Sequence, residues 1–212
     1  MPSKALGKYL SHYRGLDDIH LGAFRLIKSR WEVESVLYAG SWIHLSPSLV
    51  FPYVVYVDFF AEMESMFNDF ELLKYIETRS EAIKKPLIKF HKADYREGIH
   101  EDKESFDLLI SLSGGFASKY CKSYLRKGGL LFVNNEHYDA SMAYVDSDYL
   151  LIGVFTHAKK LVEDKQRVHE YFMTKNNQPI SFEMVNENSE KSPSKAKYKL
   201  RKKAHFYLFQ KA

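Results

Sequence analysis

Residues 106–112, Phe-Asp-Leu-Leu-Ile-Ser-Leu, form an apolar run whose centre shows no polar alternation. A strand of that kind is buried on both faces, and such strands belong to parallel sheets covered by helices above and below. Parallel neighbours need long crossovers, so the remaining chain must supply alternating strands and helices. Strands are expected at 35–39, 53–58, 87–95, 106–112, 130–135, 149–155 and 205–211. Helices are expected over 17–31, 61–78, 117–127 and 158–172, with a short one opening at Ser46-Pro47, a good cap and first-turn pair. In the 61–78 helix Met63, Met66, Phe67, Phe70 and Leu73 fall on one stripe, which reads as core packing. Gly128-Gly129 should stop the 117–127 helix. The last two strands are joined by one helix and a long polar stretch, which allows an antiparallel closing hairpin.

The expected architecture is α/β: a doubly wound, mainly parallel seven-stranded sheet with helices on both faces and an antiparallel C-terminal strand. A single domain over 1–212 should hold it, with an N-terminal helical cap (1–34) and a basic loop insertion (186–204) before the last strand. With 212 residues and 45% hydrophobic content the chain has enough for one sizeable core.

Charge and cysteine content narrow the function classes. The net charge is +4, but residues 191–203 hold seven basic side chains and no acid. Without that segment 24 basic residues face 27 acidic ones, a net of −3. The segment has Tyr198 but no second aromatic for a stacking platform, so a solvated loop is the favoured reading and nucleic acid is not. Beside a substrate mouth, the same loop would attract an anionic substrate. Cys121 is the one cysteine, which excludes an internal disulfide and fits a reducing, cytoplasmic setting; it reads as a packed helix residue. No apolar run reaches the ~20 residues of a membrane span, and no signal-type apolar core is seen near residue 1. The nine histidines show no metal-ligand spacing, so no metal site is expected. Dinucleotide and phosphate-loop glycine patterns are missing as well.

In an open α/β sheet, ligands bind beyond the carboxyl ends of the strands, where the strand order reverses. Gly40, Ser41, Asp58, Phe59, Asp94, Tyr95 and Ser111 all stand at or just past expected strand ends. The order of segments resembles the class I S-adenosylmethionine-dependent methyltransferase family over roughly residues 17–211. Val-Leu-Tyr-Ala-Gly-Ser (36–41) is similar to its first-strand glycine loop. Asp58, 18 residues after Gly40, is similar to the acidic residue closing its second strand. Lys-Ala-Asp-Tyr-Arg-Glu (92–97), Phe-Asp-Leu-Leu-Ile-Ser-Leu-Ser-Gly-Gly-Phe (106–116) and Leu-Arg-Lys-Gly-Gly-Leu-Leu-Phe-Val (125–133) resemble its third-, fourth- and fifth-strand segments. The resemblance implies an S-adenosylmethionine site. Asp58 would accept from the ribose hydroxyls and Asp94 from the adenine amine, with Phe59 or Tyr95 stacking on the purine. The local alternative for each Asp is a turn or cap role.

Three departures stand out. Tyr38 occupies the place of the acid that normally opens the first motif, and Trp42 and His44 replace its later glycines. A tryptophan there must turn away or fill the cofactor space. Glu136, His137 and Asp139, after the fifth strand, are the candidate acid-base groups, although methyl transfer to a good nucleophile needs little beyond positioning. The expected function is methyl transfer from S-adenosylmethionine to a small molecule. The alternatives are a non-catalytic binding or scaffold relative, and a synthase using the cofactor for other chemistry. Neither the oligomeric state nor the acceptor is encoded in a readable motif.

Overall fold

The computed structural model describes residues 1–82, 85–157, 160–189 and 198–212. The strands are β1 (Ser35–Ala39), β2 (Tyr53–Asp58), β3 (Leu87–Lys92), β4 (Phe106–Ser111), β5 (Leu125–Val133), β6 (Tyr149–His157), β7 (Lys160–Val162) and β8 (Phe206–Lys211). The helices are α1 (Lys4–Tyr13), α2 (Leu21–Arg30), α3 (Ala61–Phe67), α4 (Phe70–Arg79), α5 (Ala117–Tyr120), α6 (Asp139–Val145), α7 (Lys165–His169) and α8 (Phe182–Ser189). One sheet runs in the order β3-β2-β1-β4-β5-β8-β6-β7. β1 to β5 are mutually parallel where they pair, and β8 lies antiparallel between β5 and β6. This doubly wound sheet with a reversed C-terminal strand is the architecture that the methyltransferase resemblance implies. It has eight strands among the described residues rather than seven, because β7 adds a short antiparallel edge to β6.

Alternation along each strand feeds two cores, one on each face. Tyr38, Tyr56, Ile110, Phe132 and Leu208 pack with α1, α2, α3 and α4. Leu37, Val57, Leu109, Val133 and Phe209 pack with α5, α6, α7 and α8. Buried apolar surface at roughly 25 cal/mol per Å² is the main term holding both layers to the sheet.

Several expected boundaries move, each for a local reason. The 61–78 helix is two helices. Asp69 caps the second by accepting from the Leu72 N–H, and it is anchored by the Ser3 hydroxyl. That break turns Phe70 outward to 78% exposure, while Met63, Met66 and Phe67 stay buried. The 117–127 helix lasts four residues and a 3₁₀ turn, after which the chain extends at Leu125. Gly128-Gly129 therefore lies inside β5 and is not a helix stop. Within 158–172, residues 160–162 are β7 and Asp164 caps the short α7; residues 158–159 lie outside the described residues. Residues 17–31 hold the last residue of a 3₁₀ turn (Gly15–Asp17) and then α2, and the first helical segment of the cap, α1, is capped by Ser3. The basic stretch is described only over 198–203, and 191–197 lie outside the described residues. Among the described residues no helix is long and apolar enough to cross a membrane.

Gly7 sits mid-helix in α1, and a Cβ there would meet nothing within 4 Å. Gly7→Ala should therefore stabilise the protein by about 0.5–1 kcal/mol through lost unfolded-state entropy. A chemical-denaturation midpoint that fails to rise would contradict this.

Candidate active site

The strand order reverses between β1 and β4, and the loops at their carboxyl ends face each other there. Gly40, at φ +66°, follows β1; a Cβ on it would lie 2.6 Å from the Gly114 Cα in the loop after β4. Gly114 in turn has no room for a Cβ, with the Ala39 carbonyl oxygen 2.8 Å from its position. The glycine at 40 is thus needed for close backbone approach and for its positive φ.

A cavity of about 370 Å³ opens beside this contact. Gly40, Ser41, Asp58, Phe59 and Tyr95 all line it. The two remaining cofactor candidates do not. Asp94 caps the 3₁₀ turn after β3 and pairs with the Arg96 guanidinium, which lowers its pKa. Ser111 is buried and donates to Asp139 at 2.5 Å. The cap reading holds for Asp94.

Asp58 is 4% exposed and has a structural task as well. Its carboxylate accepts from the Trp42 N–H at 2.8 Å and the Phe60 N–H at 3.0 Å. The first of these bonds pins Trp42 at φ +45°. A carboxylate has about four acceptor positions, so two remain for a ligand. The Trp42 ring turns onto α1, edge-on to His12 at 4.7 Å and beneath the Lys8 ammonium. It forms part of the cavity wall without filling the space.

His44 has left the loop altogether. It is buried, with its ring stacked on Tyr13 at 4.0 Å. Its Nε2 lies 2.6 Å from Asp18 and its Nδ1 2.9 Å from the Tyr38 hydroxyl. Asp18 also receives the His20 ring Nδ1 at 2.6 Å and the His20 backbone N–H at 2.9 Å. Burial alone would raise the Asp18 carboxyl, but the hydrogen bonds from His20 and His44 outweigh it and hold the group well below the usual carboxylate range. Burial lowers His44 to about 4, so at neutral pH its ring is uncharged. An ionised Asp18 only accepts, hence His44 donates through Nε2 and takes the Tyr38 proton at Nδ1. Tyr38 is buried and its pKa is raised, chiefly by that burial. Tyr38 and His44, the two residues that depart from the expected glycine-loop pattern, thus bond to each other.

A second cavity, about 1080 Å³, adjoins the first. Tyr13, Tyr38, Leu112 and Ser113 line both. Its lining also includes His20 and His44, then Asn134, Asn135 and Glu136, and the basic residues Lys175, Lys199, Lys203 and His205. Glu136 is the sole acid among the described residues of this lining and accepts from Ser113 at 2.5 Å. His137 is exposed and lines neither cavity. Asp139 lies buried behind the site, accepting from Ser111 and from the Ser118 hydroxyl and N–H, and burial pushes it up to about 6.

The sequence reading missed Asp18, His20 and His44 as a group. Asp18 falls at the start of the expected 17–31 helix, and His44 in the expected glycine loop. The available signal was polar residues at 18, 20 and 44 inside otherwise apolar surroundings, which burial forces into mutual contact.

No family profile and no curated protein matches the chain. Solved structures do. A putative S-adenosylmethionine-dependent methyltransferase from Methanococcus maripaludis is 17% identical, with 92% of this chain and 85% of that one covered at a TM-score of 0.45. A putative O-methyltransferase from Klebsiella pneumoniae is 10% identical over 76% and 87%, with a TM-score of 0.48. For YcgJ from Bacillus subtilis the figures are 16%, 54% and 50%, and 0.39. The chain spans about half the length of several structures it matches. These likenesses concern fold only, and the strand order above describes that fold independently.

Proposed function

We propose that this protein transfers a methyl group from S-adenosylmethionine to an anionic small molecule. The observation that carries the reading is the pair of adjoining cavities at the strand-order reversal, with a shared wall of Tyr13, Tyr38, Leu112 and Ser113. The smaller falls within the roughly 300–1,000 Å³ of small-molecule sites, and the larger slightly exceeds it. Asp58, with acceptor positions to spare, would hold the ribose hydroxyls. Phe59 and Phe60, 58% and 50% exposed and in mutual contact at 4.4 Å, supply an aromatic rim for a purine. The backbone around Gly40 and Ser41 lies close enough to the cavity to receive the rest of the cofactor. When bound, the cofactor supplies an activated methyl group. The chain's own residues bind, orient and exclude water. The three lysines of the larger cavity favour an acceptor with a carboxylate or phosphate.

Calorimetric titration with S-adenosylmethionine and S-adenosylhomocysteine tests the reading. One-site binding in the micromolar range is expected. Phe59→Ala, which removes an exposed ring, should weaken it about tenfold with the unfolding midpoint unchanged, since stacking contributes roughly 1–3 kcal/mol. Asp58→Ala is a poorer probe, because it also frees the Trp42 and Phe60 amides. No heat from folded protein would favour the scaffold alternative.

A further inference from the structure

We propose that Asp18, His20 and His44 form a binding site for a divalent transition-metal ion, zinc or a cation of similar preference, open to the larger cavity. The inference is independent of the methyl-transfer reading. Each residue offers one ligand atom, the three lie within 4.8 Å of one another, and two of the residues are buried. Two imidazoles and a carboxylate are a donor set suited to zinc, cobalt or nickel, and not to magnesium or calcium, which take oxygen.

The surroundings are built as outer shells around metal ligands are built. His44 is clamped by the Tyr13 ring at 4.0 Å and held at Nδ1 by the Tyr38 hydroxyl, which leaves Nε2 aimed at Asp18. A second group on the far nitrogen of a ligating histidine is the usual means of fixing its orientation. The Asp18 carboxylate is steadied by the His20 backbone N–H. His20 and His44, though not Asp18, line the larger cavity, so a fourth position would open on that side. Three protein ligands with an open fourth position distinguish a reactive zinc site from a structural one. That position would be filled by water or by an anionic group entering the lysine-bearing cavity.

Binding is balanced in protons. In the metal-free network both imidazoles donate to Asp18, through His20 Nδ1–H and His44 Nε2–H. To ligate, each ring carries its proton on the nitrogen that faces away from Asp18. On His44 that nitrogen meets Tyr38, whose oxygen changes from donor to acceptor. On His20 the proton goes to Nε2. No net proton is lost. The two N···O contacts of 2.6 Å must widen to about 3.3 Å, the separation set by metal–ligand bonds of roughly 2.0–2.1 Å in a tetrahedron. The His20 side chain, 17% exposed, has the freedom to make that move.

The full chain, stripped with a chelator and free of S-adenosylmethionine, should be titrated with zinc by calorimetry and with cobalt by visible absorption. One ion per chain is expected, with the absorption bands of a four- or five-coordinate cobalt. His20→Ala should abolish the stoichiometric site while the protein stays folded. Tyr38→Phe should weaken it about 10–100-fold, the effect of losing an outer-shell partner. Asp18→Asn serves as a second ligand variant if His20→Ala fails to fold. Absence of one-to-one binding by the folded protein, or undiminished binding in His20→Ala, would overturn the proposal and leave the three residues as a closed hydrogen-bonded cluster. Neither result bears on cofactor binding, which has its own titration.

Discussion

Gly40→Ala is expected to destabilise the protein by about 2–5 kcal/mol, with about 1–2 from the positive φ and about 1–3 from overpacking. The added methyl carbon would stand 2.6 Å from the Gly114 Cα, which is backbone and has no rotamer to yield. Gly114→Ala should be damaging for a related reason, since its Cβ would meet the Ala39 carbonyl oxygen at 2.8 Å. The double variant should cost less than the sum, because one methyl already forces the two loops apart. Urea denaturation of the three variants decides this. A loss under about 1 kcal/mol for Gly40→Ala would mean that the loops separate easily and that the smaller cavity has no fixed wall.

Asp139→Asn should alter how stability depends on pH. Burial is the largest influence on Asp139 and raises its pKa from 3.8 to about 6, despite the hydrogen bonds from Ser111 and Ser118. A carboxyl with a raised folded pKa binds its proton more tightly in the fold. It therefore contributes stability that is fully present below about pH 4 and is lost as pH rises through about 6. Two units correspond to about 3 kcal/mol. His44 acts in the opposite sense. Its folded pKa of about 4 lies below its ordinary 6.5, so stability is lost as pH falls between those values. The two terms oppose each other in the wild type. The Asn variant keeps only the histidine term, and its stability should fall more steeply than the wild type's between pH 6 and 4. Denaturation curves at several pH values measure it. A wild-type-minus-variant difference that does not move with pH would show that Asp139 is already ionised throughout this range.

The strand positions were largely legible in the sequence because burial on both faces leaves an unbroken apolar run, as in 106–112. The reversed last strand was legible too, since only one helix was available between 149–155 and 205–211. Helix limits were less so. Phe70 continues the apolar stripe of its predecessors, but Asp69 wins a cap with Ser3 from far along the chain, and no local pattern records that contact. Gly40, Ser41, Asp58, Phe59 and Tyr95 converge on the smaller cavity, which their positions after strands imply in an α/β fold. Asp94 and Ser111 hold equivalent positions and were drawn instead into a local cap and a buried serine-carboxylate cluster. Trp42 could be recognised as a problem, but its solution depends on α1, whose docking the loop sequence does not encode. The Asp18–His20–His44 cluster joins the cap to the loop, and residues that meet only after two segments dock carry no spacing.

The placement of β8 between β5 and β6 bears on how the protein folds. Among the described residues, β6 and β7 reach the rest of the sheet only through residues 206–211. Until those six residues arrive, the hairpin has an unpaired edge on one side and β5 has another. Closing the β6–β8 pair spans almost fifty residues of intervening chain, an entropic cost met before any pairing is gained. Sheet completion should thus be the slow, concerted step of folding, and the species that precedes it is the one most prone to pair with a second molecule.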